Sequence, residues 1–401
     1  MHPNTIFPEP VFITRLIHID PQFAEDFRGQ KSFLVTANFF TDNKYRRLAQ
    51  MAREGCDILI VNPVTNFFTY SGYVEKPTYS NLPYAPELPF SRTKLKEIHR
   101  TNFIDQVVAW QVNHGAGLLI APYFYARDLD DRKYDYNLNL LEETICYKDK
   151  YGKQVWACIN MGIKSLFNEN LNEVIDNYCK TEADGFFILL EGFEDRSATT
   201  SNIITLLTLV EELSRKKDVI VGSIGPFGQI LFAYGANGFS SGIGWMETFR
   251  ESQLEGGEVG YAADRVPRAQ YYYISSIFSY VKPYDLATLM NPNMSPEDLI
   301  NELKCDCVIC EEGYPKKPMD KKRHFLHKRF EEMRTLRELL KELDFDDMDT
   351  RKNTLHEIMM NKLLKARFLA QRIQDEVFID INIAGINNWI EALKKYPPSS
   401  F

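Results

Sequence analysis

The chain has 401 residues, a formal net charge of −8 and 44% hydrophobic residues, enough for one large α/β core with appendages or for two domains. The acidic balance, with an isoelectric point near 5.6, excludes a global polycation, so any nucleic-acid contact has to come from a local basic surface. No apolar run approaches the roughly 18 residues that cross a bilayer, and Met1-His2-Pro3-Asn4 lacks the basic and apolar regions of a secretory leader. A soluble cytoplasmic protein is therefore expected.

Taken in chain order, short apolar runs alternate with amphipathic segments from about residue 30 to 245. Residues 32–37 read as a strand, 43–54 as a helix ended by Gly55, and 56–61 as a strand closed by Asn62-Pro63. A helix over 91–113 leads to a strand at 117–122. Next come a strand at 155–160 ending at Gly162, a helix at 171–180 and a strand at 185–190. A helix at 203–217, a strand at 219–223 and the segment 227–234 lead to a last strand at 238–242. Strands apolar on both faces, joined by helices, imply a parallel sheet. At least six such units, with no Gly-x-Gly-x-x-Gly turn after an early strand, favour a (β/α)8 TIM-like barrel over an open doubly wound sheet.

The texture changes near residue 295. Ser295-Pro296-Glu297-Asp298 reads as a helix start with a serine cap, proline at the first helical position and acids in the first turn. Long charged helices are expected over 324–345 and 351–374. The division is 1–294 for the barrel with an N-terminal extension and 295–401 for a helical zinc-binding subdomain.

The densest chemistry lies in Cys305-Asp306-Cys307-Val308-Ile309-Cys310. Three thiols within six residues cannot all pair without strain, but they can wrap one soft tetrahedral ion. With one distant histidine they form a Cys3His set, closed and therefore structural, with zinc as the expected cofactor. His356 in Thr354-Leu355-His356-Glu357 is the expected fourth ligand, with His324 and His327 as alternates. Cys56, Cys146, Cys158 and Cys179 sit singly and read as core thiols, which suits a reducing compartment.

A barrel followed by this cysteine cluster and a late Thr-Leu-His resembles the tRNA-guanine transglycosylase superfamily. That group includes the queuine and archaeosine tRNA enzymes and the phage and bacterial proteins that place deazaguanines in DNA. Arg323-His324-Phe325-Leu326-His327 is similar to the family's helix opening after the cluster, and Asn353-Thr354-Leu355-His356 to the segment carrying its histidine ligand. The spacer between them is longer than usual, through an acidic stretch at 341–347. Weaker likenesses are Glu54 to Asn62 with the family's early strand, Ser91-Arg92-Thr93-Lys94 and the helix to Gly117 with the segment before its third or fourth strand, and 219–242 with the strand, helix and strand that carry its nucleophile.

What the resemblance implies is base exchange by two carboxylates, one attacking the anomeric carbon and one moving protons, with a third aspartate reading the guanine edge. At the matching positions this chain departs from all three. Tyr70-Ser71-Gly72-Tyr73 stands in the proton-shuttle turn, Leu119-Ile120-Ala121-Pro122-Tyr123 at the base-reading strand end, and Gly238-Phe239-Ser240-Ser241-Gly242 at the nucleophile strand. Asp264, in Ala263-Asp264-Arg265-Val266-Pro267-Arg268, and Glu247, after Trp245-Met246, are the candidate relocated catalytic carboxylates. Tyr70, Ser71, Gly72, Tyr123, Asn160, Gly162, Glu191, Ser240 and Ser241 are the candidate substrate-binding residues at strand ends. Asp128, Asp130, Asp131 and Arg132 form a charged loop read as solvated, and Tyr271-Tyr272-Tyr273 offers rings for packing or base stacking.

Lys316, Lys317, Lys321, Lys322 and Arg323, continued by Lys328 and Arg329, form a local basic run suited to phosphates. The resulting expectation is a zinc-stabilised, transglycosylase-like protein that binds DNA or tRNA in a deazaguanine-modification or phage-defence setting. Its site would be diverged, and it would act as a homodimer or beside a catalytic partner subunit. An active base-exchange glycosyltransferase using the relocated carboxylates is the alternative.

Overall fold

The computed structural model describes residues 5–16, 32–91, 95, 102–243, 248–251, 271–342 and 348–399. Eight parallel strands run through it: β1 (Val11–Leu16), β2 (Ser32–Thr36), β3 (Ile58–Asn62), β4 (Leu119–Ile120), β5 (Val155–Gly162), β6 (Gly185–Glu191), β7 (Asp218–Gly222) and β8 (Gly238–Ser241). Their order is β3-β2-β1-β8-β7-β6-β5-β4. The two ends of that row meet where Ile60 bridges Leu118 and the Gly117 amide donates to the Leu59 carbonyl at 2.7 Å. The chain thus forms the expected (β/α)8 barrel, nearly closed.

Strand alternation sorts the apolar residues into two cores. Val11, Ile13, Leu34, Ile60, Ile120, Trp156, Phe187 and Ile220 fill the barrel, and Phe7 plugs its lower end against Trp156 at 5.7 Å. Phe12, Phe33, Val61, Ile159, Ile188, Val221 and Phe239 face outward under the helices. Burial on both faces is why these strands read as unbroken apolar runs. Gly185 makes the Trp156 position possible, since a Cβ there would lie 2.4 Å from the indole.

The outer layer includes helices Asn43–Gly55, Phe103–Asn113, Arg132–Ile145, Glu169–Cys179 and Thr200–Ser214. Between β7 and β8 the chain instead makes a 3-10 helix, Pro226–Tyr234, buried along its whole length. It is covered by the two C-terminal helices, Met348–Arg372 and Ile383–Lys395. Trp389 from the second stacks on Phe227 at 4.9 Å and donates to the Asp195 carbonyl at 2.9 Å. One continuous apolar cluster therefore joins the barrel wall to the C-terminal helices. Ser295 does not cap the helix Glu297–Leu303, because its hydroxyl donates to the Thr288 carbonyl at 3.2 Å and Pro296 occupies the cap position. Among the described residues no helix is long and apolar enough to cross a membrane.

Candidate metal centre and barrel mouth

After β8 and outside the barrel, the hairpin β9 (Tyr272–Ile274) and β10 (Ser279–Val281) packs beneath the helix Pro318–Glu342. The cysteine loop lies between them. The Cys310 amide donates to the Cys307 carbonyl at 2.7 Å and the Gly313 amide to the Cys310 carbonyl at 2.9 Å. These bonds coil the loop so that Cys305, Cys307 and Cys310 converge. The fourth group is His324, and the four ligand atoms all lie within 4.8 Å of one another. His324 Nδ1 is 3.4 Å from Cys307 Sγ and 3.3 Å from Cys310 Sγ. Those separations match the roughly 3.5 Å sulfur–nitrogen edge of a tetrahedron built on bonds of about 2.0–2.3 Å, so the cluster could hold one metal ion.

The surroundings are built for that role. His324 Nε2–H donates to the Tyr273 carbonyl at 2.7 Å, which leaves the Nδ1 lone pair for the ion. Tyr272 stacks on the His324 ring at 4.1 Å, and its hydroxyl reaches Cys310 Sγ at 3.4 Å. Hydrogen bonds from Cys305 and Cys310 pull the Cys307 thiol down to about 3, while the same crowding pushes Cys310 up. Three thiolates this close need a cation to coexist. Next to the centre, Arg329 is fully buried among Tyr273, Phe325, Phe12 and Phe239 and pairs with Glu332 at 2.9 Å. Glu332 also accepts from Tyr273 Oη at 2.9 Å and Ser275 Oγ at 2.5 Å.

His356 is not part of this cluster. It lies on the helix Met348–Arg372, which covers the 226–234 segment, and its Nε2–H donates to the Leu393 carbonyl at 3.1 Å. Its ring packs edge-on against Tyr234, and burial lowers its pKa. It therefore ties the two C-terminal helices together rather than binding metal. His327 lines a neighbouring surface hollow with Asp306 and Arg334. Of the alternates, only His324 is in place.

The basic run is also corrected. Lys316 and Lys317 are exposed, but Lys321 is only 4% exposed and burial lowers its pKa. Lys322 and Arg323 are partly buried, and Arg323 pairs with Asp320 at 3.2 Å. Lys328 pairs with Glu331 at 2.6 Å, and Arg329 is the buried cation described above. Tyr272 and Tyr273 are packed, not offered to solvent. Of the single cysteines only Cys158 is buried, and Cys146 is exposed.

At the C-terminal ends of the strands, the inward positions are polar. Asn62 accepts from Tyr123 Oη at 2.8 Å, and Tyr123 is locked by its amide to Thr65 Oγ1 at 2.8 Å. Asn160 is completely buried, and among the described residues neither its amide nitrogen nor its amide oxygen has a hydrogen-bond partner. Two residues on, Gly162 leaves room beside Tyr125 Oη, which lies 3.5 Å from Glu191 Oε2. Glu191 is the carboxylate among the described inward-facing strand ends. Ser240 and Ser241 are buried, with Ser241 Oγ donating to the Gly242 carbonyl at 3.1 Å. Tyr70 packs with Tyr125 and Phe249 at the rim, Gly72 is partly buried and Ser71 is exposed, so Ser71 does not line the interior. Asp131 caps the helix Arg132–Ile145 through the Lys133 amide at 3.1 Å and is linked to Asp128, which accounts for that acidic loop structurally. Glu247 and Asp264 lie outside the described residues.

Arg15 stands inward near the end of β1, a strand that lies within the expected N-terminal extension and carries no motif.

No protein-family model and no curated protein matches the chain. Among solved structures, one described as "Native KDPGal structure" aligns with TM-score 0.30 and 10% identity over 64% of this chain and 92% of that one. The carboxyl transferase domain of Rhizobium etli pyruvate carboxylase with 3-bromopyruvate aligns with TM-score 0.36 and 8% identity. That alignment covers 96% of this chain and 61% of the domain. At these scores the likenesses carry no weight for activity.

Proposed function

We propose that the chain is a zinc-pinned barrel of transglycosylase type that binds DNA or tRNA and accepts a base at its mouth. Its setting would be deazaguanine modification or phage defence, with base exchange lost or completed by a partner subunit. The observation that carries the ligand site is Asn160. A fully buried amide with both atoms unpartnered among the described residues costs on the order of 1–3 kcal/mol per group, and a ligand with a donor–acceptor edge, as every nucleobase has, would recover it. Zinc rather than another metal is favoured by the Cys3His set. Exposed Lys316 and Lys317 follow the cysteine loop in the chain.

Loss of exchange is favoured because the reaction needs two carboxylates, and the described strand ends offer Glu191 alone. The test is fluorescence anisotropy with labelled tRNA and single-stranded DNA across a salt series. Binding that weakens with salt and is reduced by Lys316→Ala with Lys317→Ala is expected, and absence of binding at low salt would overturn the reading.

A second reading, an active exchange enzyme on DNA or RNA, draws on Glu191 beside Tyr125 Oη. A carboxylate attacks the anomeric carbon, the glycosidic bond breaks, and a second acid protonates the departing base; Asp264 and Glu247 remain its sequence candidates. Denaturing gels of guanine-containing DNA or tRNA with a deazaguanine would then show a covalent adduct that disappears in the nucleophile's variant.

A further inference from the structure

Arg15 shares its side of β1 with Val11 and Ile13, which fill the barrel interior, whereas Phe12 and Leu16 face outward. It is therefore the uppermost inward residue of that strand, paired with Leu34 of β2. Its Nε is enclosed and has no hydrogen-bond partner among the described residues, while the residue keeps some accessible surface. The titratable groups facing it are phenols, those of Tyr123, Tyr79 and Tyr73, and burial lowers its pKa. Two of these phenols belong to an aromatic trio. Phe67 and Tyr73 lie 4.4 Å apart, Phe67 and Tyr79 5.3 Å, and Tyr73 and Tyr79 5.1 Å.

The contrast with Arg329 is direct. Arg329 has Glu332 at 2.9 Å, whereas no described carboxylate faces Arg15. A desolvated cation with no anion is the expensive arrangement. The Tyr123 hydroxyl ties Arg15 to the rest of the interior: it donates to Asn62 Oδ1 at 2.8 Å and lies against Cys158, and Asn160 is the next inward residue along β5 from Cys158.

We propose that Arg15 is an anion-binding residue of the barrel mouth, receiving the terminal phosphate or carboxylate of a small molecule that enters there. A planar guanidinium with several free donors suits either group through paired charge-assisted hydrogen bonds. A terminal group fits better than a backbone diester, because Arg15 is set below the rim and a diester would have to bring chain in on both sides. The inference does not depend on the nucleic-acid reading, and failure of oligonucleotide binding would leave it standing.

The test uses the full chain, as wild type, Arg15→Met and Arg15→Lys. Melting temperature and calorimetric affinity are measured with sodium phosphate, with sodium acetate and with a short single-stranded DNA lacking terminal phosphates. Sodium chloride at matched ionic strength is the reference. The expected result is a melting temperature of the wild type that climbs with the logarithm of phosphate or acetate concentration. Arg15→Met should lose the shift, with affinity more than about tenfold weaker, and Arg15→Lys should keep part of it. Without added anion, Arg15→Met should melt no lower than the wild type. Equal shifts in wild type and Arg15→Met, no shift with either anion, or a response to the DNA alone would each overturn the proposal. So would an Arg15→Met protein that fails to fold or melts far below the wild type, since that would reveal an internal partner.

Discussion

The candidate metal centre and the barrel mouth are both polar clusters set in apolar surroundings, yet they are finished to different degrees. Around the cysteines, the groups nearest the cluster are held in place: His324 is oriented by a backbone carbonyl and Cys310 by a phenol. At the mouth, Asn160 and Arg15 present buried polar atoms that meet nothing among the described residues. Polar clusters closed on themselves serve stability. Clusters with unspent hydrogen-bonding groups point to a ligand.

That contrast can be tested by mutation and metal removal. The largest effect should come from stripping the metal with a chelator or from Cys307→Ser. Either should lower stability on the order of 5–10 kcal/mol, visible as a collapse of the melting temperature. His324→Ala should lose bound metal in the same way. Next, Arg329→Met should cost about 3–5 kcal/mol in denaturant unfolding, because it strands a buried Glu332. His356→Ala should keep its metal and cost only about 1–2 kcal/mol, the loss of one hydrogen bond and some packing. Tyr272→Phe should fold normally but bind zinc about tenfold more weakly in a competition titration with a chromogenic chelator.

Asn160→Leu should be the mildest, changing unfolding free energy by about 1 kcal/mol or less and in the stabilising direction if anything, because no existing hydrogen bond is lost. A large destabilisation there would erase the distinction between the two regions.

The barrel was legible because a parallel sheet buried on both faces leaves continuous apolar runs, and from residue 32 onward each expected strand is present. β1 was not, since Val11–Leu16 is a single short run after two prolines and carries Arg15 within it. The cysteine loop was legible from spacing alone. His324 was legible only as an alternate to His356, because the fourth ligand is fixed by how the helix Pro318–Glu342 packs on β9, not by a linear motif. A signal was available: Lys321, His324, Phe325, Arg329 and Glu332 recur at helical spacing and share the buried face. That periodicity turns half of the basic run inward. The orphaned Asn160 could not be read at all, since what marks it is the absence of a partner in three dimensions.

The most direct test of the closed metal centre is X-ray absorption at the zinc edge on the purified full chain. The expected spectrum is one zinc per chain bound by three sulfurs at about 2.3 Å and one nitrogen at about 2.0–2.1 Å. A chain without zinc, or a zinc shell containing a water or carboxylate oxygen, would contradict it.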